Sequence, residues 1–405
     1  MLQISDDDKL WAEKIWEKIT LKMSVLCDRL GALIPYSAAN GRYTERMKNN
    51  ETDINWWTNG FWPGMLWLMY NETKEEKYLT TARLIEEKLD AALCGFEGLH
   101  HDVGFMWTHA SVLDWRITGD KIARKRALHA ATILAGRYNP RGKFIRSWND
   151  PPAQFAVNTP AGYRDGAGWI IVDCMMNLSL LYWAGGQTGD PRFAFIANDH
   201  ADTALKNLVR EDGSCNHIAV LDPQNGALIE TPAGQGYASG SSWTRGQAWA
   251  LHGFSFTFRN SGEKRYLDAA RRITNYFCSE ISRYGYIPPS DFRAPREPEI
   301  IDTSAGSIAA CGLLELSNSV CANSVCENSV ISKEEAENYK KDAISIIKAI
   351  EAAHCDWDVS SDGIVKMATA QYHDKLEERH LPIIYGDYFF MEAINRLRGS
   401  NFQIW

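Results

Sequence analysis

The stretch "DCMMNLSLLYWAGGQTGDPRFAF", residues 173–195, decides the fold. Its first half is apolar at most positions and is broken by Asp173 and Asn177. The turn "GQTGDP" then stops it. A glycine here supplies the left-handed conformation that ends one helix, and the adjacent Asp190 caps the next and suits its positive N-terminal dipole. The unit is therefore a helix buried on most sides, a corner, and a second helix behind it.

The same unit recurs along the chain. Further corners stand at "YNETKEEKYL" (70–79), "RITGDKIARKRAL" (116–128) and "RNSGEKRYLDAARR" (259–272). Ahead of them lie the apolar segments "GFWPGMLWLMY", "VGFMWTHASVLDW" and "RGQAWALHGFSFTF", and the series continues with "SAGSIAACGLLEL" and "DYFFMEAINRL". Segments with charges at helical spacing alternate with these, from "KLWAEKIWEKITLKM" near the start to "SKEEAENYKKDAISIIKAIEAA" from residue 332. Six inner-type and six outer-type helices in strict alternation predict an all-α protein, an (α/α)6 barrel spanning residues 1–405 as a single catalytic domain. An open α-solenoid is the competing architecture. The closed ring is preferred because twelve helices use up the chain without a capping repeat. Long segments at 140–168, 210–244, 280–301 and 355–386 precede inner helices, and loops of that length carry function.

Bulk composition narrows the partners. The net charge of −8 disfavours a phosphate backbone or an anionic membrane, so no nucleic acid and no membrane partner is expected. No apolar span is long enough to cross a bilayer, and the acidic start "MLQISDDDKLW" does not read as an export signal, so a cytoplasmic location is expected. The nine cysteines form no C-x-x-C pair and read as reduced thiols. With 15 Trp, 16 Tyr and 15 Phe, the chain has broad flat surfaces to offer to its core or to a ligand.

Titratable residues gather at the mouths of the inner helices: Asn59, Asp102 in "HHDVGF", Asp173 in "IIVDCMMN", Arg245 in "TRGQAW", Asp302 and Asp387. Plain N-capping accounts for Asp302 and Asp387. Asp173 sits among apolar neighbours, where an ionised carboxylate is costly without a partner or a task. If Asp102 and Asp173 share a pocket, their titrations couple and one can serve as a general acid; as separate caps they do nothing of the kind. Arg245 and Trp249, four apart, project from one helix face and suit a planar acidic ring, although Arg245 equally suits a structural partner for an aspartate. Trp148, His217 and Gln235 collect in the long loops. No metal is expected, because adjacent side chains in "HHD" diverge when the chain enters a helix, and no nucleotide-binding or serine-hydrolase motif appears.

Together "WTNGFWPGMLWLMY", "HHDVGFMW", "FIRSWND", "IIVDCMMNLSLLYWA", "GQGYASGSSWTRGQAWALHGF", "DTSAGSIAACGLLEL" and "YGDYFFMEA" resemble the unsaturated glucuronyl hydrolases of glycoside hydrolase family 88, in that family's order and over nearly the whole chain. The resemblance implies a cofactor-free enzyme that removes the unsaturated uronate from the non-reducing end of lyase-generated glycosaminoglycan di- and oligosaccharides of chondroitin, hyaluronan or heparin type. In that family the reaction begins with hydration of the C4=C5 double bond. The resemblance also implies roles: Asp173 as general acid and base, Asp102 as the second essential aspartate, His217 and Gln235 near the ring and its attacking water, His101 and Arg245 as binding residues, and Trp62, Trp148 and Trp249 as pocket aromatics. Lys366 is a candidate anion contact. A monomer or weak homodimer is expected. An unsaturated rhamnogalacturonyl hydrolase and a non-catalytic carbohydrate-binding toroid are the alternatives.

Overall fold

The computed structural model describes residues 4–150, 166–320, 331–400 and 402–405, so residues 151–165 of the first long loop lie outside the description. The fold is an (α/α)6 barrel. Its outer helices are α1 (Asp6–Leu30), α3 (Glu76–Gly95), α6 (Lys121–Gly136), α8 (Arg192–Asn207), α10 (Lys264–Ile281) and α12 (Lys333–His354). The inner ring is α2 (Phe61–Thr73), the broken helix α4 (Val103–Trp107) with α5 (Leu113–Thr118), then α7 (Cys174–Thr188), α9 (Thr244–Ser261), α11 (Thr303–Ser317) and α13 (Ile384–Leu397). Each inner helix packs on the next, and α13 returns to pack on α2, so the ring is closed.

Burial follows the sequence pattern. Every residue of α11 is buried, whereas α3 buries a stripe running Tyr78, Ala82, Ile85, Leu89 and Leu93. A helix buried all round gains nothing from a polar face, while an outer helix needs one. At the corners, Gly189 and Gly262 take positive φ of 69° and 73°, but at residue 74 no glycine is present and Lys74 itself takes φ 58°.

Between α4 and α5, residues Thr108–Val112 form a π-helical turn. The His109 ring bonds the Phe105 carbonyl at 2.6 Å and so competes with the helix's own ladder there. Trp405 plugs the base of the barrel: its indole N–H donates to Glu392 at 3.0–3.1 Å, and its ring stacks on Phe389 with centroids 5.8 Å apart. With the base filled, the accessible end of the barrel is the rim where the inner helices begin.

The long loops are not purely irregular, as an all-α reading would have them. A three-stranded antiparallel sheet joins Trp169–Ile171, Ile218–Leu221 and Leu228–Glu230. Its register pairs Ile171 with Ile218, and Val172 N–H continues it to the His217 carbonyl at 3.0 Å. That register brings His217 beside Asp173.

Candidate active site

Asp102 and Asp173 stand at the N-cap positions of α4 and α7, yet neither side chain makes a capping hydrogen bond. Asp302, by contrast, caps α11 in the ordinary way, accepting from Ser304 N–H. The two carboxylates are therefore available for other work. For Asp387 the capping expectation fails: the cap position of α13 belongs to Ile383, and Asp387, inside the first turn, accepts the backbone N–H groups of Ile364 and Val365 and the Tyr43 hydroxyl. Burial pushes its pKa up to about 6 despite those donors. Its task is to anchor the 355–386 loop.

Around Asp102 the divergence expected of "HHD" does not occur. Residues 100–102 form a turn ahead of the helix, and His100 Nδ1 and His101 Nε2 lie 3.3 and 3.4 Å from Asp102 Oδ2. These three side chains are the one group among the described residues whose donor types and spacing, within 4.8 Å of one another, suit a metal ion. Burial holds the His101 imidazole down at about 3, so it is neutral. Burial alone would raise Asp102, but His101, His100 and Asn177 outweigh it and keep the carboxyl below its ordinary value. Asp102 is thus an anion at neutral pH.

Asp173 differs in its surroundings. Its side chain retains 14% exposure, and Oδ2 has no hydrogen-bond partner except the approach of His217 Nε2 at 3.5 Å. Nδ1 of His217 accepts the Gln235 backbone N–H at 2.9 Å, so the neutral ring carries its proton on Nε2, facing Asp173. The Gln235 side chain in turn donates to the Ala370 carbonyl at 2.8 Å. Trp243 packs on His217 with centroids 4.5 Å apart, and half-buried Trp148 lies beyond at 6.4 Å.

Arg245 is committed through both terminal nitrogens, while its buried Nε has no hydrogen-bond partner. It is 1% exposed, pairs with buried Asp302 at 2.6 Å, and donates to the carbonyls of Thr369, at 2.8 Å, and Ala370. Of the two readings open in sequence, the structural partner is the one the geometry displays. Trp249 is 0% exposed beneath Phe105, and Trp62 is equally buried, its indole donating to the Gly31 carbonyl at the end of α1. Neither offers a face to a ligand in this arrangement. Trp57 does more at the rim: half-buried, it stacks on Tyr385 at 5.1 Å and touches Phe105 at 5.3 Å. Its place in "NWWTNG", just before a helix, was a usable signal. Lys366 lies 3.9 Å from Asp356 and is half exposed.

Arg137 and Asn177 carry the site without having been singled out. The Arg137 guanidinium ties the carbonyls of Leu99, Ser147 and Arg146 together and so fixes the loop that bears His101 to the loop that bears Trp148. Asn177 Nδ2 donates to Asp102 Oδ1 at 3.0 Å and to the Asp173 carbonyl at 3.2 Å, linking the two acids through one amide.

No family model matches the chain. Individual proteins do. An unsaturated glucuronyl hydrolase of Bacillus sp. (strain GL1) is 32% identical over 404 residues, 98% of this chain and 99% of the relative. The chain belongs to the unsaturated glucuronyl hydrolase family. An unsaturated chondroitin disaccharide hydrolase of Streptococcus agalactiae is 31% identical over 76% of this chain and 74% of its own length. The solved structure of the Bacillus sp. GL1 unsaturated glucuronyl hydrolase, described as responsible for the degradation of glycosaminoglycan, superposes with a TM-score of 0.81, at 32% identity, covering 94% of this chain and 96% of the other. The chain is a glycoside hydrolase of that family.

Proposed function

We infer that the protein removes a 4,5-unsaturated glucuronyl residue from the non-reducing end of lyase-generated glycosaminoglycan fragments, by hydrating the C4=C5 vinyl ether. The observation that supports it best is the pair of helix-mouth aspartates freed from capping, with Asn177 joining the Asp102 carboxylate to the Asp173 backbone, in a chain whose relatives are named as unsaturated glucuronyl or chondroitin disaccharide hydrolases. Those names favour this substrate over a pectin-derived one and over a non-catalytic toroid.

The two acids divide the work. Asp173, whose side chain is partly exposed and whose buried Oδ2 has no hydrogen-bond partner, delivers a proton to C4 and assists the addition of water at C5. Asp102 stays anionic, stabilises positive charge developing on the ring and contacts its hydroxyls. His217 steadies Asp173 through Nε2–H. Trp148 supplies an aromatic face. Arg245 acts on the substrate indirectly, by fixing the Ala370 carbonyl that holds Gln235. The hydrated sugar is an unstable hemiketal, which opens and releases the leaving saccharide without a covalent enzyme intermediate. The carboxylate-separation rule for retaining and inverting glycosidases therefore does not apply.

The test is direct. Incubation with unsaturated chondroitin or hyaluronan disaccharide should remove the ultraviolet absorbance of the conjugated double bond. Undiminished absorbance on every such disaccharide rules the function out.

A further inference from the structure

Asn177 lies one turn into α7 and is completely buried. Its amide orientation is fixed by its partners. Oδ1 accepts the Phe105 backbone N–H at 2.7 Å, so Nδ2 must face the Asp102 carboxylate and the Asp173 carbonyl, both pure acceptors. Phe105 stands in the first turn of α4, where backbone N–H groups need an outside acceptor. The cap that Asp102 fails to provide is thus delivered across the barrel wall from the neighbouring helix. Gly104 makes room for it: a Cβ there would sit 2.5 Å from both Asn177 Cα and Oδ1.

We propose that Asn177 is a positioning residue for the reaction: it takes over the capping of α4, orients the Asp102 carboxylate, and ties it to the Asp173 backbone so that both acids meet the sugar in one fixed arrangement. The proposal rests on the hydration reading above. With Oδ1 of Asp102 occupied by the amide, Oδ2 is the oxygen left to face His100 and His101. Other ionisable groups acting on this cluster are Cys174 at the start of α7, Arg137 just past α6, His200 of α8, and His217 just before the middle strand of the sheet.

Asn177→Asp separates the two duties. Aspartate can still accept the Phe105 N–H, but once ionised it cannot donate to Asp102 and it adds a like charge. Both changes disfavour ionised Asp102, so the acid limb of the kcat–pH profile moves to higher pH, by about one unit or more. We expect kcat to fall at least about tenfold, with KM changing less than about threefold, at an unchanged circular dichroism spectrum. Asn177→Ser, smaller and uncharged, should show the same limb displacement in weaker form, and it decides the matter if the aspartate variant does not fold. An active parent whose variants keep the limb within about 0.3 unit and kcat within about twofold overturns the positioning role alone. A parent inactive on every unsaturated disaccharide overturns the function and the proposal together.

Discussion

Breaking the Arg245–Asp302 pair should cost stability out of proportion to its size. Arg245 and Asp302 are 1% and 0% exposed, the guanidinium lies 4.5 Å over Trp243 and 5.1 Å over Tyr385, and no solvent reaches either charge. Removing one member leaves the other buried and uncompensated, a loss of about 3–5 kcal/mol, whereas replacing both by apolar groups of similar volume is close to neutral. For a chain of this length the melting temperature moves by roughly 1–2 °C per kcal/mol, so Arg245→Met and Asp302→Leu should each lower it by about 3–10 °C. The double variant should recover only part of that loss, because the Ser304 N–H also loses its cap acceptor and the Thr369 and Ala370 carbonyls lose their donor. Catalysis should not recover with it, because the carbonyls of Thr369 and Ala370 lose their donor and Gln235 and His217 lose their support. Calorimetric melts of the four proteins, read beside their rates on unsaturated disaccharide, test both halves. Single variants that melt within about 1 °C of the parent, or a double variant that loses the sum of the two, would show that neither charge depends on the other for its burial.

Three further outcomes are expected. His217→Ala, by removing the donor that faces Asp173, should reduce kcat by about ten- to a hundredfold with little change in melting temperature; parent-like kcat would separate His217 from the acid. Trp148→Ala should raise KM by about three- to tenfold, the scale of one aromatic contact, and an unchanged KM would give Trp148 a packing role against Trp169 and His217 instead. Glu86, buried under Trp67 and Ser111, has its pKa raised by burial to about 8. Its protonated form is favoured by folding, so this contribution to stability is complete below the ordinary 4.5 and is lost as pH rises towards 8. Glu86→Gln should therefore raise the melting temperature relative to the parent at pH 8 but not at pH 4, and equal differences at both pH values would contradict the buried, protonated assignment.

The barrel was legible because burial on all sides and burial on one side leave different marks on a sequence, and the alternation of those marks counts helices. Ring closure was not, since it depends on α13 meeting α2 across most of the chain. In the site, the helix-mouth position of Asp102 and Asp173 could be read, but not whether their side chains were spent on capping, a matter of rotamer and neighbour. Asn177 settled that, and in sequence it was merely a polar break in an apolar run. The convergence of His100, His101 and Asp102 was misjudged by assigning to a helix what is a turn. Trp62 and Trp249 could not be told from core by composition, because a helix of the inner ring is apolar towards the pocket and towards its neighbours alike.

Hydration of the double bond depends on the proton carried by Asp173. Asp173→Asn keeps the shape of the side chain and removes the acid, so turnover of unsaturated chondroitin disaccharide should drop by at least about a hundredfold, while calorimetric binding of the same disaccharide stays within several-fold of the parent. Turnover close to the parent's in that variant would contradict it.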